Sequence, residues 1–353
     1  MRFEFNKTNI RNNVVPVFFA SDKNYVPYLT IAIKSLVNFS SPRNQYNIYI
    51  LTNDLQEKDI TEIRALERNN VNIRIIDVSE KIEDIKHKVA LRDYYSVSIY
   101  FRLFIPTMFP QYDKVIYLDS DIVLNADIAK MFKVDIGNNY LGAVLDEVIW
   151  SSEGFTYYAR EALDLTEKQY FNSGVLIMNL KKFRENDIEN NFYEWVNNDT
   201  LTAVAPDQDY LNCVCKNSVK YLHPGWNKMP MGREFADNEL FLIHYNMFMK
   251  PWKYENIMFE KYFWDVAKTT SFYEQIRNIQ RNYTDEQKRN DQIGAENLLK
   301  LALNIADSDT NYKRVVLKMP LSKFKQMMTK RVEEGTEDKG SVMTTVLNGQ
   351  KKS

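Results

Sequence analysis

Short apolar runs alternate with segments of helical periodicity along the first part of the chain, and this alternation restricts the possible fold more than any other feature. Residues 14–20 form an apolar run between polar turns, and apolar side chains then recur at helical spacing over residues 28–39. Strands are predicted again at 48–51 and 72–77, with a helix over 57–68 between them. Strands that alternate with helices of this length are typical of β-α-β units, so we predict an α/β fold with a mostly parallel sheet.

The same pattern continues as far as about residue 270. Residues 114–118 are apolar enough to form a central strand that is buried on both faces. The remaining predicted elements are strands at 141–145, 174–178 and 240–243 and helices at 96–109, 187–197 and 207–215.

The composition changes beyond about residue 272. Residues 280–291 are almost wholly polar, and residues 295–306 have the pattern of an amphipathic helix. We therefore predict a main domain over residues 1–270, a C-terminal helical and partly basic extension over 271–335, and a disordered tail over 336–353.

Charge and cysteine content argue against several classes of protein. Lys and Arg together number 46 against 47 Asp and Glu, so the charge balance does not suggest a nucleic acid partner. Cys213 and Cys215 are expected to be small buried side chains, because one C-x-C pair is a poor zinc site. The sequence shows neither a secretory signal nor about 18 consecutive apolar residues, which predicts a cytoplasmic protein.

An Asp-x-Asp motif directly follows the most apolar strand. Asp119 and Asp121 would lie at the carboxyl edge of the sheet, where open α/β folds bind their ligands. Residues two apart in an extended chain point the same way, so both carboxylates can reach one cation. Mg²⁺ and Mn²⁺ take oxygen ligands of this kind together with substrate phosphates. The motif therefore predicts a divalent metal site.

Two other interpretations of the motif exist. It can be an acidic turn that merely ends a strand, although paired carboxylates repel each other unless a positive charge lies nearby. It also matches the first motif of haloacid-dehalogenase-type phosphatases, Asp-x-Asp-x-Thr/Val. That fold requires a later Gly-Asp-x-x-x-Asp motif, which this sequence lacks.

His244 and Lys250 follow the last predicted strand. His244 is one of three histidines in the chain and could add a nitrogen ligand that suits Mn²⁺, while Lys250 offers a cation for a phosphate. Taken alone, the segment favours a histidine satisfied at a strand end and a surface lysine.

Together these motifs resemble glycosyltransferase family 8 over residues 14–252. This is the family of retaining GT-A enzymes that includes glycogenin and bacterial lipopolysaccharide glucosyl- and galactosyltransferases. The resemblance implies that residues 1–270 form a Rossmann-like GT-A catalytic domain. It also implies a hexosyltransferase that uses a UDP-sugar donor and Mn²⁺ or Mg²⁺.

The family motifs assign residues to the donor end of the site. Phe19-Ala20-Ser21-Asp22-Lys23-Asn24-Tyr25 resembles the nucleotide-binding start, so Asp22 and Asn24 would bind uracil or ribose and Tyr25 would stack on the base. Without the resemblance, Asp22 would be interpreted as a helix cap. Tyr100-Phe101-Arg102-Leu103 resembles the arginine motif, in which Arg102 reaches the donor sugar and phosphates. The alternative is an arginine on the surface of a helix.

The remaining motifs imply the metal site and the sugar site. Asp119 and Asp121 match the metal motif, His244 matches the third protein ligand, and Lys250 belongs to the closing Lys-Pro-Trp. Asn172-Ser173-Gly174 resembles the segment next to the donor hexose. Asp207 would bind sugar hydroxyls and Gln208 would lie beneath the anomeric carbon, with Asp207, Gln208 and Arg102 as the catalytic residues. Asp146 occupies the position of an acceptor-side carboxylate.

One position departs from the family pattern. Relatives carry glycine three residues after the metal histidine, and this chain has Met247. The departure leaves a non-catalytic nucleotide-sugar-binding relative as an alternative function.

The resemblance implies a front-face retaining route, because the neutral amide of Gln208 is a poor nucleophile. The acceptor is expected to be a glycan or a lipid-linked glycan, and the donor sugar is either glucose or galactose. Residues 311–331 hold seven basic residues and no acid, which suggests peripheral contact with the inner face of an anionic membrane. A solvated helix packed on the main domain explains the same pattern, and Pro320 argues against one continuous helix.

Overall fold

The computed structural model describes residues 13–83, 97–166, 168–197 and 202–316. The strands in these ranges are β1 (Val14–Ala20), β2 (Gln45–Thr52), β3 (Val71–Asp77), β4 (Lys114–Leu118), β5 (Ile122–Leu124), β6 (Leu141–Leu145), β7 (Phe171–Asn179), β8 (Val219–Tyr221) and β9 (Leu242–His244).

The helices connect and flank these strands. They are α1 (Val26–Phe39), α2 (Glu57–Arg64), α3 (Ser79–Glu83), α4 (Ile105–Met108), α5 (Ala129–Phe132), α6 (Glu147–Ser151), α7 (Glu153–Leu163), α8 (Leu180–Glu185), α9 (Ile188–Asn197), α10 (Pro206–Val214), α11 (Glu260–Ala267), α12 (Tyr273–Arg281), α13 (Asp285–Asp307) and α14 (Tyr312–Val315). Three 3-10 helices cover Lys23–Tyr25, Val97–Leu103 and Pro224–Trp226.

Seven strands form one sheet in the order β3-β2-β1-β4-β7-β6-β8. The pairs β1–β2, β1–β4, β2–β3 and β6–β8 are parallel, which confirms the predicted mostly parallel α/β sheet. Strand β7 runs against both of its neighbours. A separate two-stranded sheet pairs β5 with β9 in antiparallel register.

The centre of the sheet is covered on both faces. Alternate side chains of β4 enter different apolar clusters, because successive residues of a strand point to opposite faces. Ile116 and Leu118 join the cluster beneath α1, whereas Val115 and Tyr117 join the cluster that α10 covers. This double burial explains why the strand was recognisable from its continuous apolar run.

Three predicted helices differ from the observed ones, and the one predicted over 57–68 ends earlier, at Arg64. The predicted helix over 96–109 is a 3-10 helix, Val97–Leu103, followed by the short α4; residue 96 lies outside the described residues. Pro106 explains the break, because its ring excludes the i→i−4 hydrogen bond that a continuous helix would need there. The helix predicted over 295–306 begins earlier, at Asp285, because Thr284 and Gln287 form a capping box that extends it.

The C-terminal helix α13 packs on α7 through an apolar contact. Leu298, Ala302 and Ile305 lie in one buried cluster with Tyr158 and Ala162. The division at residue 270 stays a prediction, as does the tail over 336–353, which lies outside the described residues. Both cysteines are buried and free, as predicted. Among the described residues, no helix combines the length and the apolar character that a membrane crossing requires.

Candidate active site

A cleft of about 490 Å³ opens at the carboxyl ends of β1 and β4. It brings together most of the residues that the sequence motifs singled out: Asp22, Tyr25, Arg102, Asp119, Asp121, Asp146, Asn172, Asp207, Gln208, His244 and Lys250. Asn24 is exposed outside the lining, and Gly174 lies beneath it rather than on its surface. The topology therefore gathers side chains that are more than 200 residues apart in sequence.

Asp119, Asp121 and His244 form a cluster whose ligand atoms all lie within 4.8 Å of one another. Asp119 follows β4 directly, and the antiparallel pairing of β5 with β9 places Ile122 opposite His244. As a result, His244 Nε2 lies 3.1 Å from Asp121 Oδ1 and 3.8 Å from Asp119 Oδ2. Within the described ranges, this is the one group of three or more acidic, histidine or cysteine side chains close enough to share an ion.

Gly174 makes room for this cluster. A Cβ at this position would come closer than 3.0 Å to both Asp119 Oδ2 and His244 Cε1. Its backbone is anchored to the same edge of the sheet, because Asp119 N donates to Gly174 O at 2.7 Å. The family motif assigned this glycine to close contact with the donor sugar. The structure adds a second physical reason for glycine, which is the space that two candidate metal ligands require.

Lys250 supplies positive charge to the cluster. Its Nζ contacts Asp121 Oδ2, and the side chain is almost fully buried. Burial would lower the pKa of Lys250, but the Asp121 carboxylate raises it above its usual value, so the amine is cationic. Burial likewise opposes ionisation of Asp121, yet Lys250 and His244 hold the pKa of that carboxyl below its ordinary range. The surface-lysine interpretation is wrong for this side chain.

Arg102 lies under the cleft floor and joins two carboxylates. Its Nη2 donates to Asp119 Oδ1 at 3.0 Å, and its Nε lies 3.3 Å from Asp207 Oδ2. Its Nη1 also donates to Ser173. Only 3% of Arg102 is exposed, which contradicts the alternative of a surface arginine. Burial raises the pKa of Asp207 to about 6, although Arg102 opposes the shift.

The amide of Gln208 has a fixed orientation. Its Oε1 accepts a hydrogen bond from Ser173 N at 2.9 Å, and a backbone N–H can only donate. Gln208 Nε2 therefore faces Asp146 Oδ2 at 3.1 Å and Tyr170 Oη at 3.1 Å. The carbonyl oxygen is already engaged, which makes it a still weaker nucleophile than a free amide.

Asp146 is held entirely by the protein. Its Oδ1 accepts from the backbone N–H groups of Val148 and Ile149 and caps α6, and its Oδ2 accepts from Asn172 and Gln208. The carboxylate therefore orients Gln208. Its predicted contact with the acceptor stays a prediction.

Asp22 caps the 3-10 helix Lys23–Tyr25. Its Oδ1 accepts from Asn24 N at 2.8 Å and from Tyr25 N at 3.3 Å. The capping interpretation is thus confirmed, and contact of Asp22, Asn24 and Tyr25 with a nucleotide stays a prediction. Tyr25 packs edge-on against Tyr28, whose other side stacks on Trp252.

Two supporting residues escaped the sequence analysis. Asp209 is fully buried and accepts hydrogen bonds from Tyr158, Tyr170, Val204 N and Ala205 N, which fixes the start of α10. Asn227 contacts the ring of His244. Asp209 lies beside Gln208 in the motif, so its position was a usable signal. Nothing local distinguishes Asn227 from the many other asparagines of the chain.

Met247 adopts a left-handed backbone conformation, with φ at 55°. Glycine adopts this region without steric cost, which explains why the family pattern places glycine here. The Met247 side chain lines the cleft and an adjoining small apolar cavity that α13 also borders.

The donor set fits a hard or borderline divalent cation. Two carboxylates and an imidazole converge on one point, and the space at Gly174 would be closed by any larger residue. The doubly wound sheet with this cluster at its carboxyl edge defines a GT-A fold.

Comparison with known proteins identifies the family. The model of Glycosyl transferase family 8 matches residues 16–256, and the chain belongs to this family. A putative glycosyltransferase of Haemophilus influenzae is 30% identical over 220 residues, which are 62% of this chain and 64% of the relative. Lipopolysaccharide 1,2-glucosyltransferase of Escherichia coli is 23% identical over 67% of this chain and 72% of its own.

A solved structure shows the same fold. The galactosyltransferase LgtC, determined in complex with donor and acceptor sugar analogues, superimposes with a TM-score of 0.64 and 29% identity, over 75% of this chain and 100% of that one. The chain spans 64% or less of the length of the first several curated relatives that it matches. Family membership contradicts the phosphatase alternative.

Proposed function

We propose that this chain is a metal-dependent retaining hexosyltransferase that moves glucose or galactose from a UDP-sugar to a glycan or a lipid-linked glycan. The observation that carries the proposal is the cluster of Asp119, Asp121 and His244, with the cationic Lys250 beside it in the cleft. Two carboxylates and a buried ammonium next to an imidazole are suited to a diphosphate that shares a divalent cation.

The donor would lie along the carboxyl edge of the sheet. Asp22, Asn24 and Tyr25 would contact the uridine, and Asn172, Gly174 and Asp207 would lie near the hexose. Arg102 Nη2 lies 3.0 Å from Asp119 Oδ1, and Arg102 Nε lies 3.3 Å from Asp207 Oδ2. Arg102 therefore positions the metal end and the sugar end of the site relative to each other. This shared contact supports a donor that spans both ends.

Mn²⁺ or Mg²⁺, held by Asp119, Asp121 and His244, would offset the negative charge on the departing UDP. Lys250 lies against Asp121 and would donate to the same diphosphate from the buried side of the cleft. Arg102 orients Asp119, because its guanidinium donates directly to that carboxylate.

The orientation of Gln208 favours transfer on one face of the sugar. Its Oε1 accepts a hydrogen bond from Ser173 N, which lowers the nucleophilicity of an already weak amide oxygen. The acceptor hydroxyl would then attack from the side of the leaving phosphate, and a phosphate oxygen would take its proton. Recovery of a peptide with a hexose on Gln208 after incubation with donor would contradict this route.

A donor screen tests the proposal. Purified chain is incubated with UDP-glucose or UDP-galactose, Mn²⁺ and a panel of glycan acceptors, and UDP release and glycosylated product are both measured. We expect acceptor-dependent product from the wild-type chain and from the exposed control Asp285→Asn, and none from Asp121→Asn. Binding of UDP-sugar without turnover on any acceptor would support the non-catalytic alternative that Met247 raises.

Membrane association is a separate part of the proposal. Of the seven basic residues in 311–331, Lys313 and Arg314 are buried and contact Glu161 and the end of α13. The other five lie outside the described residues, so contact with anionic lipid would come from 317–331. We expect a cytoplasmic protein that binds the inner face of the membrane. Co-sedimentation with anionic vesicles should be lost on deletion of residues 317–353, and equal binding of both forms would contradict the idea.

A further inference from the structure

The candidate metal ligand His244 is held from behind by Asn227. Asn227 Oδ1 lies 2.9 Å from His244 Nδ1, and the two side chains are 1% and 2% exposed. Asn227 follows the 3-10 helix Pro224–Trp226, and the backbone of the next residue pairs with β9 through Lys228 N and Leu242 O. The asparagine is therefore fixed to the strand that carries the histidine.

The orientation of the Asn227 amide follows from the backbone N–H of Gly174, which is linked to Asn227 through the side chain of Asn172. Gly174 N donates to Asn172 Oδ1 at 2.9 Å, and because a backbone N–H can only donate, that atom of Asn172 must be its oxygen. Asn172 Nδ2 then donates to Asp146 Oδ2 at 3.0 Å, which is consistent because a carboxylate accepts.

The same oxygen of Asn172 fixes Asn227. It lies 2.9 Å from the second polar atom of the Asn227 amide, which must therefore be the donor Nδ2. Asn227 Oδ1 is left facing His244, and an amide oxygen can only accept. His244 Nδ1 must then carry a hydrogen, so in the neutral ring Nε2 keeps its lone pair.

That lone pair is directed at the metal cluster. Nε2 lies 3.1 Å from Asp121 Oδ1 and 3.8 Å from Asp119 Oδ2. Beside these carboxylates, Nε2 either carries a hydrogen that Asp121 accepts or shares a cation with them, and a divalent cation supplies the second arrangement. The hydrogen on the opposite nitrogen is the feature that second-layer partners of metal-bound histidines commonly fix.

We propose that Asn227 is a positioning residue that holds His244 as the Nδ1–H tautomer with Nε2 presented to the metal. The Gly174 backbone amide sets this tautomer through Asn172 and Asn227. The proposal rests on the metal site of the proposed function, but the hydrogen on Nδ1, which Asn227 Oδ1 requires, is expected whether or not a metal is bound.

His223 provides an internal reference. Its Nδ1 accepts a hydrogen bond from Gly225 N at 3.1 Å, so the neutral ring of His223 carries its hydrogen on Nε2. The chain has three histidines, His87, His223 and His244, and single substitutions of the other two assign their signals.

The test is ¹⁵N-histidine NMR of the metal-free protein. Long-range ¹H–¹⁵N correlations distinguish the two tautomers. We expect a hydrogen on Nδ1 of His244, with or without a second one on Nε2 beside Asp121, and no hydrogen on Nδ1 of His223. Asn227→Leu removes the acceptor and should give a mixture at His244. Asn227→Asp retains an acceptor for Nδ1–H and should restore the single tautomer.

Mn²⁺ binding in the presence of UDP supplies the second measurement. We expect Asn227→Leu to weaken Mn²⁺ binding by about 10- to 100-fold, the range that loss of a second-layer partner causes, and Asn227→Asp to recover part of it. Asn212→Leu is the matched control, because Asn212 is a buried asparagine whose amide pairs with the backbone of Phe171. It should lower thermal stability and leave both the His244 tautomer and Mn²⁺ binding unchanged.

The outcomes separate this proposal from the proposed function. An Nε2–H pattern at His244 in the wild-type protein, or wild-type Mn²⁺ binding by Asn227→Leu, would overturn the positioning role. An Nδ1–H pattern that depends on Asn227 supports the role even if the chain transfers no sugar, which would instead count against the proposed function.

Discussion

Replacement of Gly174 by alanine should weaken metal binding while leaving the fold intact. The new Cβ would lie closer than 3.0 Å to Asp119 Oδ2 and His244 Cε1, whereas ordinary contacts begin at 3.4 Å. The φ angle at this residue is not in the left-handed region, so alanine adds bulk without backbone strain. The perturbation is therefore confined to the two candidate ligands.

The expected loss of Mn²⁺ affinity follows from how little Asp119 and His244 can move. Asp119 is held by Arg102 and Tyr117, and the His244 ring is held by Asn227. Each ligand must retreat by roughly 0.6 to 1 Å to reach an acceptable contact with the new Cβ, at least three times the deviation of roughly 0.2 Å that metal–ligand distances tolerate. We expect Mn²⁺ affinity to fall by about 100-fold or more, and stability by about 1–3 kcal/mol from overpacking.

The assay is titration of Mn²⁺ into protein and UDP, with free Mn²⁺ followed by electron paramagnetic resonance. Gly142→Ala is the matched control in β6, because its Cβ would meet only Ile136 and Ile177 among its nearest atoms, at 3.0 and 3.2 Å. It should cost comparable stability and keep wild-type Mn²⁺ affinity. Equal Mn²⁺ binding by Gly174→Ala and the wild-type chain would refute the reasoning.

Substitutions at three further positions test other parts of the site. The pKa of Asp207 is raised to about 6 from an ordinary 3.8, so the folded protein holds the Asp207 proton more tightly than the unfolded chain does. The metal-free protein therefore loses stability as the pH rises through the window from 3.8 to about 6. Asp207→Asn should remove about 3 kcal/mol of that pH dependence, measured by denaturant unfolding across the window, and parallel pH profiles would contradict it. At Met247, whose φ is 55°, Gly should be at least as stable as Met, and the β-branched Val should be less stable by about 1 kcal/mol or more; equal melting of the Val variant would be inconsistent with a strained backbone. Asp209→Asn places an NH₂ among four donors and should lower the free energy of unfolding by about 3 kcal/mol, measured by thermal unfolding. The exposed control Asp285→Asn should leave thermal unfolding unchanged.

Local sequence signals were sufficient for two of the strands that carry the site, whereas β5 was not predicted and β9 was predicted at 240–243. Residues 14–20 were predicted with the observed bounds of β1, and 114–118 with those of β4, because apolar runs between polar turns indicate buried strands. Helix bounds were predicted wrongly where a capping box or a proline decided them. Thr284 and Gln287 extended α13, and Pro106 divided a predicted helix.

The site was predicted as separate motifs, and their meeting depended on tertiary structure. Asp121 and His244 come together because β5 pairs with β9, a pairing that no local pattern encodes. Arg102 matched a family motif, but its burial between Asp119 and Asp207 depends on elements far apart in sequence. The antiparallel direction of β7, which brings Gly174 to the carboxyl edge, was also absent from the sequence pattern.

The sequence by itself determined the α/β class, the central strand and the residue types available for a metal and a phosphate, because periodicity and composition act over short stretches of chain. Only the tertiary structure decided which of those side chains meet, which nitrogen of His244 faces the carboxylates, and why residue 174 is glycine. The physical reason is that hydrogen-bond direction and steric room are properties of groups in space, and residues such as Asn227 acquire a role only from the neighbours that the fold gives them.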